Sequence, residues 1–147
     1  MAAFKNRSER LAVVLKLAQS EERAAGARLE QAQQQLQLQR RQLAQLKEYS
    51  LDYRRRIGEQ TGEVQIQEMM TYRQFLNQLS SAEDNQEKTV LRLQQNLEQI
   101  KQLWRQKYQR IKSLETLIES AKLRENWEAD KREQREMEEF RPGYRYD

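Results

Sequence analysis

The chain has 147 residues, 34% of them charged, with a mean hydropathy of −1.14 and a net charge of +4. That balance leaves too few apolar residues for a broad globular core, and its charge is too mild and too mixed in sign to mark a nucleic-acid binder. Cys and His are both absent, which excludes a disulfide framework, thiolate nucleophiles, the usual zinc sites and histidine acid–base catalysis. The carboxylates are scattered, so no active site, metal or cofactor is expected.

With 22 Gln and one Pro, such a chain is either long helix or disorder, and the spacing of its apolar residues decides. The opening "MAAFKNRSERLAVVLKLAQ" faintly imitates a signal peptide, but Lys16 breaks the apolar run and no clean cleavage motif follows. Nothing approaches the roughly 18 apolar residues of a membrane span. A soluble intracellular protein without direct membrane insertion is the expectation.

Asn6 followed by Glu9 predicts an N-cap, the Asn side-chain oxygen accepting from orphan backbone amides. From there a first track steps by four and three through Leu11, Leu15, Ala18, Glu22, Ala25, Leu29, Ala32, Leu36, Gln39, Leu43, Leu46, Ser50, Tyr53 and Ile57. Eleven of these 14 positions are apolar. Alternation of this kind over several heptads is a coiled-coil seam, which a disordered chain does not keep in register.

Gly58 suits the left-handed position just past a helix end, and with Gly62 it makes residues 58–65 the expected bend. A second track then runs Met69, Tyr72, Leu76, Leu79, Glu83, Gln86, Val90, Leu93, Leu97, Ile100, Trp104, Lys107, Ile111, Leu114, Ile118 and Ala121, apolar at 13 of 16 positions. Two helices joined by a short connection pack as antiparallel neighbours. The expected fold is therefore all-α, a single long antiparallel two-helix coiled-coil hairpin: helix about 7–57, bend about 58–65, helix about 66–139 and a disordered tail 140–147.

A pivot between Val64 and Gln65 pairs Ile57 with Tyr72, Tyr53 with Leu76 and Leu36 with Leu93. It also sets small against large, Ala25 opposite Trp104, Ala18 opposite Ile111 and Ala32 opposite Leu97, so that layers fill space. Glu22 then meets Lys107 as a polar seam pair. A slip of one heptad would instead face Glu22 with Ile100 or Leu114, leaving a carboxylate unpaired. The second helix is the longer, about 110 Å against about 70 Å at roughly 1.5 Å per residue, so "RENWEADKREQREMEEF" overhangs as a charged helix.

Two stripes flank the bend and step by four, three and four: Gln42, Leu46, Tyr49 and Tyr53, then Phe75, Leu79, Ala82 and Gln86. Each lies along one helix face, and in reverse order they stand at matching heights. Tyr49 and Phe75 fall outside the seam; they either widen a thin two-helix core or serve as binding anchors. Arg54, Arg55 and Arg56 beside them are either a solvated face or a site for an acidic surface. Residues 101–112, "KQLWRQKYQRIK", carry five positive and no negative charges around Trp104 and Tyr108. The seam position of Trp104 favours burial of its ring over stacking on bases.

The pattern Gln42-x3-Leu46-x2-Tyr49-x3-Tyr53-Arg54, a glycine-containing bend and then "YRQFLNQLSSAEDNQ" resembles the FliJ family of the bacterial flagellar type III export apparatus over essentially the full chain. The resemblance implies a non-enzymatic, cytoplasmic coiled coil, similar to the central stalk of rotary ATPases and peripherally associated with the inner-membrane export apparatus. Its free helix ends would sit in the centre of the hexameric export ATPase FliI, with its regulator FliH, and promote ring assembly. The bend region would reach the cytoplasmic domain of the export gate FlhA, and the protein would assist export chaperones. The gate-binding surface maps onto Gln42, Leu46, Tyr49, Tyr53, Phe75, Leu79, Ala82 and Gln86, with Gln86 standing where a family member carries His. Two rival readings share the helical pattern: the equivalent stalk of a virulence injectisome, and a self-assembling structural coiled coil.

Overall fold

Leu, Ala, Gln, Glu, Lys and Arg dominate both halves of the chain, and its one proline is Pro142. These side chains lose little freedom in a helix, so long uninterrupted helices follow. The computed structural model describes residues 6–59 and 65–140. Two helices account for all of these except Asn6 and Gln65: α1, Arg7–Glu59, and α2, Ile66–Phe140. Among the described residues there is no strand, and the two long helices pack against each other. Thr71, Thr89 and Thr116 fit into α2 by donating their hydroxyls to the carbonyl four residues back.

Asn6 caps α1, its Oδ1 accepting from the Glu9 N–H at 3.1 Å. The other end corrects the expectation for Gly58. This glycine lies within α1, which runs on to Glu59, and its φ is not positive. A Cβ built on it meets nothing within 4 Å, so neither strain nor crowding requires glycine there. Helical hydrogen bonding continues past it instead of turning at it. Phe140, expected in the tail, is the last residue of α2. Gly62, the pivot at Val64, and residues 141–147 lie outside the described residues.

The chain divides into two compact units, Met1–Ala25 with Trp104–Asp147, and Gly26–Leu103. In the first, Ala18, Ile111 and Leu114 form a buried cluster, with Leu11 and Leu15 packed against it. Ala25 is buried as well. The pairing is antiparallel: Ser8 meets Glu125, Ala18 meets Ile111, and Glu22 meets Trp104.

The expected Glu22–Lys107 pair does not form. Glu22 Oε1 accepts the Trp104 indole N–H at 2.9 Å, while the Lys107 ammonium reaches Glu21 at 3.1 Å. A half-buried indole N–H needs an acceptor, and Glu22 supplies it from the facing layer. Lys107, with a long flexible stem, carries its charge out to the rim, where Glu21 costs less to desolvate.

In the second unit Leu36, Leu79 and Val90 are buried, together with Ser50 at 3% exposure. The small Ser50 stands at the register position opposite Leu79, which leaves room for the larger side chain. Gln86 donates its side-chain amide to the Gln39 carbonyl at 3.0 Å and to Gln39 Oε1 at 2.7 Å. Lys47 and Glu87 form an exposed ion pair at 3.1 Å, a contact of small energetic value. Of the remaining expected seam residues, Leu29, Leu43, Ile57, Tyr72, Leu76, Leu93, Leu97, Ile100 and Ile118 are all partly buried.

Ser8 closes the first unit. Its N–H and its hydroxyl both donate to the Glu125 carboxylate, at 3.0 and 2.8 Å, and Ser8 is only 7% exposed. A carboxylate set against the first turn of a helix satisfies an orphan amide and complements the helix dipole. Glu125→Ala is expected to destabilise the protein by about 1–2 kcal/mol, read as a lowered urea midpoint at unchanged slope. A smaller loss from Ser8→Ala, which keeps the N–H bond, and no further loss when it is added to Glu125→Ala would locate the effect in this pair.

Candidate functional site

The stripe spacing around residues 42–53 and 75–86 places alternate residues in the seam and at its rim, and the side chains follow that division. Tyr53 sits half-buried between the helices, with its ring 4.6 Å from that of Phe75 and 6.1 Å from that of Tyr72. Tyr49 lies further out, its ring meeting Phe75 edge-on at 6.4 Å and 82°. The four rings form a connected edge-to-face cluster, the arrangement that aromatic quadrupoles favour.

The eight stripe residues differ in what they offer a partner. Tyr49 is 53% exposed, and Gln42 and Ala82 are exposed too. Leu46, Tyr53 and Phe75 are half-buried. Leu79, only 7% exposed, packs inside and supports the surface from beneath. Gln86 spends its amide on Gln39, so it positions the helices more than it faces outward. Gln42, Gln45, Leu46, Tyr49 and Gln86 line one shallow depression. Phe75 thus widens the core while Tyr49 remains available, a division that residue type alone leaves open. Gln39 and its bond to Gln86 were not singled out from the sequence; the signal was its place as a polar residue on the first track.

The crowding of the rings acts on the Tyr53 hydroxyl. Burial among the rings first, and then the neighbouring Tyr72 and Tyr49 hydroxyls, push the Tyr53 hydroxyl above the ordinary tyrosine value of 10.0. Desolvation and like charge both disfavour the phenolate. Elsewhere, Trp104 stacks on Tyr108 with ring centres 5.5 Å apart, and Lys112 lies 5.3 Å from the Tyr108 ring. In residues 126–140 of α2 every side chain is exposed, among them Trp127, whose ring lies under the Lys131 ammonium at 4.1 Å. Arg54, Arg55 and Arg56 are exposed. Among the described residues no group of His, Cys, Asp and Glu has the geometry to hold a metal ion, and no helix is long and apolar enough to cross a membrane.

Two long paired helices, with an aromatic cluster at the seam edge and an unpaired charged end, define a coiled-coil protein that works through its surfaces. The family model of the flagellar FliJ protein matches residues 7–141, and the chain belongs to that family. It is accordingly a non-enzymatic component of the flagellar protein export apparatus. Comparison with curated proteins and with solved structures gives no significant match.

Because the fold favours the neutral Tyr53 hydroxyl, its contribution to stability is whole below the unfolded tyrosine value and is lost as pH rises through the folded one. Ultraviolet titration of the intact protein is expected to show a component of tyrosine ionisation above the ordinary value, and Tyr53→Phe should remove it.

Proposed function

We propose that the chain links the export ATPase to the membrane export gate, as its family resemblance implies. The partly exposed aromatic cluster carries this reading. Tyr49 stands out from a seam edge whose rings hold it in place, so an anchor of low conformational freedom is presented to a partner. The gate surface proposed is Gln42, Leu46, Tyr49, Tyr53, Phe75, Leu79, Ala82 and Gln86, facing the cytoplasmic domain of FlhA. Tyr49, Gln42 and Ala82 make the direct contacts, while Leu79, Phe75 and Gln86 hold them.

The exposed end of α2 would enter the centre of the FliI hexamer, where FliH also acts, and promote ring assembly and activity. The exposed, charged stretch of α2 beyond Glu125 supports this reading: a single helix is narrow, and its mixed charges suit a polar channel better than a core. Assistance to export chaperones and peripheral residence on the cytoplasmic side of the inner membrane complete the proposal.

Tyr49→Ala is expected to reduce capture of the FlhA cytoplasmic domain about tenfold while far-ultraviolet circular dichroism stays unchanged. Capture equal to wild type by a folded variant would sink the gate assignment. The ATPase assignment is tested by truncating after Glu128, which removes the exposed helix and keeps the Ser8–Glu125 closure. Stimulation of FliI should then be largely lost, and full stimulation by the shortened chain would show that the end is dispensable.

A further inference from the structure

The two edges of the first unit differ in a way that the proposed role does not explain. With the seam residues Leu15, Glu22, Trp104 and Ile111 as heptad positions a, and Leu11, Ala18, Lys107 and Leu114 as positions d, the g positions of both helices border one edge of the seam. The e positions border the other. The structure follows this rule: Glu21 at g reaches across to Lys107, and Arg7, Leu117 and Arg124 line one depression.

The e edge is an ordinary solvated edge. Its one large ring, Tyr108, is 43% exposed but is already engaged by Trp104 from the preceding turn and by Lys112 from the following one. The g edge carries an exposed apolar patch between charged residues. Val14 is 36% exposed, Leu17 on the turn beside it 60%, and Leu117 44%. Ser113 and Ser120 between the α2 residues are small and exposed, so a third backbone can approach. A two-helix coiled coil wetted on both edges has no use for such a strip, whereas a third helix laid into it would bury it.

The charges around the strip select the kind of helix. Arg7, Arg110 and Arg124 are exposed and, among the described residues, hold no ion pair. Of the neighbouring carboxylates, Glu21 and Glu125 are engaged by Lys107 and Ser8, and Glu128 lines the same depression as Arg7 and Arg124. Two copies of this edge would bring arginine against arginine, which disfavours self-association. We propose that the edge formed by Val14, Leu17 and Leu117, with Arg7, Arg110 and Arg124 at its rim, docks an amphipathic helix of another protein whose apolar stripe is flanked by acidic residues. The inference stands apart from both the gate and the ATPase assignments.

The test uses the full chain and a fluorescent synthetic helix with Leu at a and d and Glu at e and g. Fluorescence anisotropy is expected to show binding at least about tenfold tighter than for a peptide with Lys at e and g, or for one of the same composition with its Leu positions scrambled. Val14→Ser combined with Leu117→Ser should abolish the preference at unchanged helicity, and Arg110→Glu with Arg124→Glu should reverse it toward the Lys peptide. Equal binding of the scrambled peptide would reduce the edge to a basic surface and overturn the proposal. So would undiminished binding by the serine variant, or sedimentation showing that the chain itself dimerises through this edge.

Discussion

A long helix with a single apolar stripe cannot bury that stripe by itself, and everything else in this protein follows from the need to cover it. The stripe is one seam wide, so a facing helix covers it and no broader core forms. Within each unit the buried apolar residues are correspondingly few and small in aggregate: Ala18, Ala25, Ile111 and Leu114 in one, Leu36, Leu79 and Val90 in the other. Stability is spread over many modest layers, and the rims of the seam remain open to partners. A protein built this way presents most of its side chains to solvent and does its work there.

Apolar heptads leave one quantity undetermined, because a slip of seven residues returns Leu to Leu. The polar and aromatic departures supply the missing information. Ser8 with Glu125, Glu22 with Trp104, and Gln39 with Gln86 each form hydrogen bonds that a slipped pairing would leave unmade. Buried polar groups without partners cost more than apolar mismatches, so these few layers discriminate between registers more strongly than the Leu layers do. The edge-to-face contacts of Tyr53 with Tyr72 and Phe75 add a geometric condition of the same kind.

Much of this was legible in the sequence, because a 3-4 alternation is a direct statement about which helix face is covered. All 14 positions of the first track are buried or half-buried. On the second, Met69 is exposed and every later position is not. The features that were not legible are choices between chemically similar neighbours. Glu21 and Glu22 are adjacent carboxylates, and only the reach of Lys107 and the direction of the Trp104 indole decide which takes which. Gly58 carries a turn signal by residue type, yet glycine is permitted in a helix as well, and composition cannot tell permission from requirement. The Ser8–Glu125 closure was readable in principle. Both residues continue their tracks by one more step, but their polarity made the seam seem to end at Leu11 and Ala121.

The same accounting of polar groups bears on which residues a partner can use. An amide that already donates twice across the seam, as Gln86 does to Gln39, has both its N–H bonds committed, and a partner would have to break a register-defining contact to recruit them. Leu79, at 7% exposure, has almost no surface left to offer. A ring such as Tyr49 is in the opposite position: its contact with Phe75 fixes its direction without covering it, so binding can desolvate it with little further loss of freedom. Residues spaced along one stripe therefore divide into those that hold the helices together and those that can be met from outside. That division follows the alternation between seam and rim except at Phe75, a rim residue drawn into the core by its contact with Tyr53.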